Sequence, residues 1–260
     1  MKTLKSLLQL TAIFIMACSY TAYGQDREFY ELKTYTIKDA HQEKRMDQYL
    51  EKAYIPALKR MGIPYVGVFK MHNDKYRPSN KIFILIPYKT LAQFESTEKL
   101  LALDKAHLTQ GADYINASFD NPPYERINSV LMRAFEDMPK MKPTTVEGPR
   151  KERVYELRSY ESPTEALYKN KVHMFNQGGE VTLFNELGFN AVFYAEVISG
   201  DRMPNLMYMT TFTDMNKRDA LWKNFGDSPK WKEISSMKKY QNNMNKLDKD
   251  LLYPTSYSDY

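Results

Sequence analysis

Phe29-Tyr30-Glu31-Leu32-Lys33-Thr34-Tyr35 returns, 125 residues further on, as Val154-Tyr155-Glu156-Leu157-Arg158-Ser159-Tyr160. A recurrence at a fixed offset signals a duplicated structural unit. The segments after each copy match in kind. A helical stretch leads to a glycine (Gly62 or Gly188), then an apolar strand. A second strand comes next (Ile82 to Pro87; Leu206 to Phe212), then more helix and a closing strand. The chain therefore reads as two tandem copies of one unit.

Each unit reads β-α-β-β-α-β. In the first, REFYELKTYTI carries Tyr, Phe, Thr and Ile at positions that favour a strand. Met46, Leu50, Ala53, Ala57, Leu58 and Met61 recur at helical spacing, with Pro56 bending that helix or opening a new turn. YVGVFKM and KIFILIPY form a strand pair around the polar turn HNDKYRPSN. Thr90 and Gln93 make a capping box, and INSVLMRAF closes the unit. In the second, Ser162-Pro163-Thr164-Glu165 starts a helix, with Ser162 as cap and Pro163 in its first turn. Val172, Phe175, Gly179, Leu183 and Leu187 continue that helix at three- and four-residue steps. NAVFYAEVI and NLMYMTTF are the strand pair. Ser228-Pro229 opens the next helix, and DLLYPTSYS ends the unit.

Such a unit folds as a four-stranded antiparallel sheet with helices on one face, which leaves the other face bare. Two units in one chain can cover each other's bare faces. The expected class is α+β, two tandem ferredoxin-like (βαββαβ) units packed as an α/β barrel. The expected division is 25–136 for the first unit, 137–150 for a proline-rich linker and 151–260 for the second. Association through sheet edges stays open, so a homo-oligomer is one expected state.

Residues 1–24 read as a secretory signal peptide: basic MKTLK, apolar SLLQLTAIFIMACS, then small residues at Ala22 and Gly24. An exported protein, periplasmic or secreted, is expected. A lipoprotein acylated at Cys18 is the alternative. With simple cleavage the mature chain holds no cysteine, so no disulfide and no thiolate metal site. No later run is apolar for eighteen residues, so no membrane span is expected in the mature chain.

Composition is that of a folded protein, 43% hydrophobic with 20 Tyr and 13 Phe. Net charge is +5, or +3 once Lys2 and Lys5 leave with the signal. That weak, mixed excess argues against nucleic acid as a partner. His41, His72, His107 and His173 show no metal-ligand spacing, and no phosphate-loop, dinucleotide or serine-hydrolase motif occurs. No cofactor and no metal is expected.

The second copy resembles the NIPSNAP family. The resemblance rests on VYELRSY, FNQGGEVTLFNELGFNAVFYAEVISG, RMPNLMYM, FTDMNKRDALWKNFGDSPKWKEI and LLYPTSYS, covering about residues 152 to 258. It implies the dimeric α/β-barrel fold of ferredoxin-like units and a scaffold able to hold a pocket, without a shared chemistry. The first copy matches in outline only. The wider superfamily includes haem enzymes and cofactor-free monooxygenases, which is analogy at the level of fold.

Candidate site residues gather in the second copy. Glu156, Arg158 and Tyr160 alternate on one strand and share a face. Arg158 can clamp an anion and Tyr160 can orient it. Asn176 and Glu180 flank Gly178-Gly179, a pair that weakens a helix. At the same offset the first copy has Ala53, Tyr54 and Ile55, and Glu196 falls opposite Lys70. If buried, Glu180 or Glu196 could hold a shifted proton and serve as a catalytic base. His173 sits one turn before the glycines. The expected pocket lies between the two sheets, with Arg158, Tyr160, His173 and Asn176 binding a small organic ligand and Glu180 and Glu196 in a catalytic role. Against it stands a packing explanation: a salt-bridged sheet face and glycines that admit a close neighbour. A non-catalytic module for oligomerisation or protein interaction is the second functional reading.

Overall fold

The computed structural model describes residues 27–72 and 80–260. The expected signal peptide with Cys18, and most of the turn HNDKYRPSN, lie outside the described residues.

The first unit runs β1 (Phe29–Thr36), α1 (Ala40–Tyr49), a π-helical turn (Leu50–Tyr54), α2 (Ile55–Arg60), β2 (Gly67–Met71), β3 (Lys81–Tyr88), α3 (Leu91–Leu101), α4 (Lys105–Gln110), α5 (Ala112–Ile115) and β4 (Arg126–Ala134). The second runs β5 (Val154–Glu161), α6 (Glu165–Phe175), α7 (Glu180–Glu186), β6 (Asn190–Ser199), β7 (Asn205–Phe212), α8 (Met215–Asp227), α9 (Pro229–Ser236), a 3-10 turn (Lys238–Tyr240) and β8 (Lys246–Pro254).

All strand pairs are antiparallel. The strand order is β1-β3-β2-β8-β5-β7-β6-β4, closed into a barrel. Each unit supplies one wall, and the walls join where β2 meets β8 (Phe69 opposite Pro254) and β4 meets β6 (Met132 opposite Val197). Closure removes every sheet edge within the barrel, so edge pairing is satisfied inside one chain.

Strand alternation then separates two environments. Tyr30, Leu32, Phe83, Leu85, Tyr155, Leu157, Met207 and Met209 point into the barrel. Their neighbours point outward beneath the helices, giving one outer core per unit: Tyr35, Ile82, Ile84 and Ile86 in the first, Tyr160, Tyr194, Leu206 and Tyr208 in the second. Burial on both faces is why KIFILIPY reads as an unbroken apolar run instead of an alternating one.

The units agree closely at their helix ends. Gly62 and Gly188 both adopt left-handed φ (80° and 82°). In each, the amide after the glycine closes back on the helix, Ile63 to Leu58 and Phe189 to Phe184, both through backbone hydrogen bonds. Ser228 caps α9 as expected. The cap of α6, however, is Thr164, whose hydroxyl accepts from Leu167 N. Ser162 instead donates to the Asn243 carbonyl at 2.7 Å, so the helix begins two residues later than its proline suggested. Residues 137–150 form no regular element, yet they are bound to the barrel. Met141 N donates to the Glu28 carboxylate and Lys142 N to Val192 O.

The glycine pair is not inside a helix. α6 ends at Phe175, and α7 starts after Gly179, whose φ is 85°. Just before the break, Gly178 N donates to His173 O, a five-residue closure. The first unit widens its helix at the matching place, where the π-helical turn ends with Ile55 N donating to Leu50 O. Both units must redirect the helix there. One does it with a π turn, the other with a left-handed glycine. A Cβ at Gly179 would meet nothing within 4 Å, whereas at Gly178 it would strike the Met174 backbone and the Tyr240 hydroxyl. Gly179→Ala should therefore cost about 1–2 kcal/mol for the left-handed backbone alone. Gly178→Ala should cost more, because backbone has to move. Urea unfolding of the two variants checks this order; equal costs would show that the contacts at Gly178 are soft.

Candidate functional site

In the second unit the Glu-Arg-Tyr face lies under the helices, outside the barrel. Glu156 is fully buried and saturated by donors. Arg158 Nε donates to Oε1 at 2.8 Å, and Arg218 donates to Oε2 (2.7 Å) and Oε1 (3.0 Å). Trp222 Nε1 donates to Oε2 at 2.7 Å. Arg218 and Trp222 stand one turn apart on α8, which Asp214 caps over β5. Burial alone would push the Glu156 carboxyl up; Arg218 and Arg158 overcome it and hold the carboxyl below its ordinary range. The Arg158 guanidinium stacks 3.6 Å from the Trp222 ring centroid and donates to the Tyr160 hydroxyl at 3.0 Å. Tyr160 and Tyr208 share a 2.7 Å hydroxyl contact. Every strong polar group here already has its partner.

Glu180 is also buried, 2% exposed, and pairs with Lys171 Nζ at 3.2 Å. Burial raises its carboxyl pKa, and the Lys171 charge only partly opposes that. Lys171 is boxed by rings, 4.9 Å from the Phe175 centroid and 5.5 Å from that of Tyr160. Asn176 is buried as a splint: Oδ1 accepts from Asp137 N and Nδ2 donates to Val172 O. His173 is exposed, its Nδ1 2.9 Å from the Tyr240 hydroxyl. Glu196 pairs with Arg27 at 3.0 Å and Arg133 at 3.4 Å, on the outer face of β6. The expectation of one pocket between the sheets formed by these six residues is corrected. β5 and β6 turn Arg158, Tyr160 and Glu196 to the outer face, and Glu180, Asn176 and His173 belong to the helical layer. Arg158 and Tyr160 share the closed network with Glu156, Glu180 lies beside it through Lys171, whose Nζ is 5.5 Å from the Tyr160 ring centroid, and His173, Asn176 and Glu196 stand apart. Two cavities among the described residues lie elsewhere, one in the first unit and one at the barrel mouth, and none of the six residues borders either.

The first unit repeats the triad as Glu31, Lys33 and Tyr35, but leaves it open. Glu31 accepts from Tyr88 (3.1 Å) and Ser129 (2.7 Å). Lys33 Nζ reaches the Tyr54 hydroxyl and Glu98, both at 3.3 Å. No tryptophan covers it. Lys33 and Tyr35 instead form one wall of a cavity of about 890 Å³ between β1 and helices α3 to α5. Its aromatic lining includes Tyr49 stacked on Tyr114, with centroids 3.7 Å apart and planes within 3°. The Tyr35 and Tyr114 hydroxyls lie 3.3 Å apart. His107 is buried in the same wall. Its Nδ1 faces the Leu101 carbonyl at 3.1 Å and must donate there, so Nε2 accepts from the Tyr49 hydroxyl at 3.0 Å. Burial pushes the Tyr35 and Tyr49 hydroxyl pKa values up, so both remain neutral donors. A second cavity, about 370 Å³, opens inside one end of the barrel. Among the described residues no His, Cys, Asp and Glu cluster is placed to hold a metal, and no helix is long and apolar enough to cross a membrane.

The family model described as NIPSNAP matches residues 155–259. Those residues are a NIPSNAP domain. It coincides with the second unit, from the second residue of β5 to Asp259, beyond β8. None of the curated proteins compared matches the sequence. Among solved structures, a proposed monooxygenase of Fusobacterium nucleatum superimposes with a TM-score of 0.57 at 13% identity, covering 88% of this chain and 93% of its own. A proposed monooxygenase of Lactobacillus acidophilus gives 0.55 at 10% identity, covering 88% and 94%. An anthrone oxidase-like protein gives 0.53 at 10% identity, covering 89% and 92%. At these identities the likeness is one of fold, and it spans both units.

The triad of the NIPSNAP half is thus the sealed one, and the triad outside the family match borders a cavity of about 890 Å³. Arg218, Trp222 and Lys171 are not legible as site residues in the sequence, because each meets its partner only when a helix packs on the sheet. The first unit's tyrosines carry no such signal either, because the second unit holds as many; only the triad is visible, as a repeat. Glu156→Gln should strand Arg158 and Arg218 without a counter-charge and cost about 3–5 kcal/mol near neutral pH. Because the folded Glu156 pKa is depressed, its contribution is present above the unfolded carboxylate value of about 4.3 and fades as pH falls below it. Urea unfolding from pH 7 to pH 3 should show the wild type and this variant converging at the acid end. A constant gap would mean that Glu156 acts by shape, not charge.

Proposed function

We propose that the protein binds a small planar aromatic molecule bearing an anionic oxygen, in the tyrosine-lined cavity of its first unit. The observation that carries this is the contrast between two equivalent triads. The second unit closes its triad with Arg218 and Trp222, so the fold does not require a void at that place. The first unit holds a cavity there with stacked rings, neutral phenol donors and two cations, Lys33 on β1 and Arg126 at the start of β4. Rings offer flat apolar surface to a flat ligand. Lys33 Nζ, half-sheltered on the sheet, offers a charge-assisted bond to an oxyanion. The volume falls within the range of about 300–1,000 Å³ that small-molecule sites occupy. The name of the anthrone oxidase-like fold relative agrees with a planar oxygenated ligand.

A second reading, a non-catalytic surface for another copy of the chain, has one observation in its favour. Phe119 is fully exposed at the cavity rim, near Leu108 and Ile115, which are also exposed. Light scattering on the purified protein tests it, and a strict monomer would remove it.

The ligand reading is tested by titrating tyrosine fluorescence with 1-hydroxy-2-naphthoate, naphthalene and cyclohexanecarboxylate. The first should bind tightest. Lys33→Met should weaken it about tenfold, the size of one charge-assisted hydrogen bond of about 1.4 kcal/mol, and leave naphthalene unchanged. Tyr114→Ala should weaken both aromatic probes. If neither variant alters binding while melting temperatures stay normal, the cavity is not the site.

A further inference from the structure

The mouth of the barrel is polar, and its rim is divided by charge. The cavity of about 370 Å³ opens there. Its floor is apolar, formed by Leu32, Phe83, Val130 and Leu157. The β4-β1-β3 wall of the first unit brings Lys81 and Arg126 to its rim. The opposite wall, β8-β5-β7 of the second unit, brings Asp250 and Asn205, with Asp201 just before β7. Arg202 also reaches this rim, but its guanidinium is engaged with Asp248 at 2.5 Å and lies 3.7 Å from Glu161. One wall thus presents cations and the other presents acceptors, across an apolar floor.

Asn205 gives this division a direction. It is 1% exposed, and its Nδ2 donates to Ser159 Oγ at 2.9 Å. Its Oδ1 is buried and accepts from none of the described residues, and Asn205 itself lines the cavity. Buried acceptors are rarely left without a donor. A donor entering the cavity would complete it, and the neighbouring carboxylates favour a donor that carries positive charge.

We propose that the barrel mouth is a second binding site, distinct from the tyrosine cavity, for a small zwitterion with an apolar side chain: a free apolar amino acid or a dipeptide of such residues. The ammonium sits against Asn205 Oδ1 and Asp250. The carboxylate meets Lys81 and Arg126. The side chain covers Leu32, Phe83, Val130 and Leu157. This site needs both units, because each supplies one charge, whereas the tyrosine cavity belongs to the first unit alone.

Isothermal titration calorimetry of the full chain with leucine and leucyl-leucine tests it, with N-acetyl-leucine lacking the ammonium and leucinamide lacking the carboxylate. At least one zwitterion should bind, and each blocked form should bind at least tenfold more weakly. Arg126 borders both cavities, so Lys81→Gln is the deciding variant. It should weaken the zwitterion several-fold and leave leucinamide unaffected. Asn205→Asp, isosteric and negative, should retain or tighten zwitterion binding. The proposal is overturned if neither zwitterion gives heat, if N-acetyl-leucine binds as well as leucine, or if Lys81→Gln leaves the affinity unchanged in a protein of normal melting temperature.

Discussion

Everything in this molecule depends on one constraint: a ferredoxin-like sheet has two faces, and its own helices cover only one. The uncovered face and both edges have to be satisfied by a partner. Here the partner is the other half of the same chain. β2 bonds to β8 and β4 to β6, so the two bare faces become the inside of a closed barrel. Once closure is set, alternation along each strand decides what every side chain can do. Tyr30 and Leu32 are committed to the interior, Glu31, Lys33 and Tyr35 to the helical layer, and likewise 125 residues later.

Duplication then frees each unit to treat the same positions differently. Glu156 and Arg158 became the centre of a saturated network, locked by Arg218 and Trp222 from α8. Glu31 and Lys33 kept the same register but face a cavity walled by tyrosines. The helical irregularity obeys the same pattern. Both units turn their first helix at one place, but a π turn serves in one and Gly179 in the other. Buried ion pairs of the Glu156 type do not by themselves add much stability, since desolvation offsets most of the attraction. Their effect is to fix which helix packs where, and here they close a space that the first unit leaves open.

Much of the fold is legible in the sequence. The repeat, the strand pairs and the barrel come from FYELKTY and VYELRSY with the elements that trail them. The glycine pair reads as a helix interior because Phe175, Gly179 and Leu183 keep helical spacing across the break; periodicity does not report a left-handed residue between two helices in register. Thr164 displaces Ser162 as cap because Ser162 finds a carbonyl at Asn243. The site is less legible. Glu156, Arg158 and Tyr160 group on one face, and that face exists. Its direction, outward, is not readable from alternation, which distinguishes two faces without saying which is inside.

The sequence by itself determined the duplication, the order of strands and helices within each unit, the NIPSNAP character of the second half and the pairing of unlike residues at matched positions. These rest on local periodicity and repetition, which a linear string contains. The tertiary structure alone decided which face of each strand looks into the barrel, that Glu180 lies against Lys171, that the second triad is sealed and the first open, and that cations and acceptors confront each other across the barrel mouth. Those outcomes depend on residues from separate elements, and in the last case from separate units. Their distances exist only after the two sheets have closed on one another.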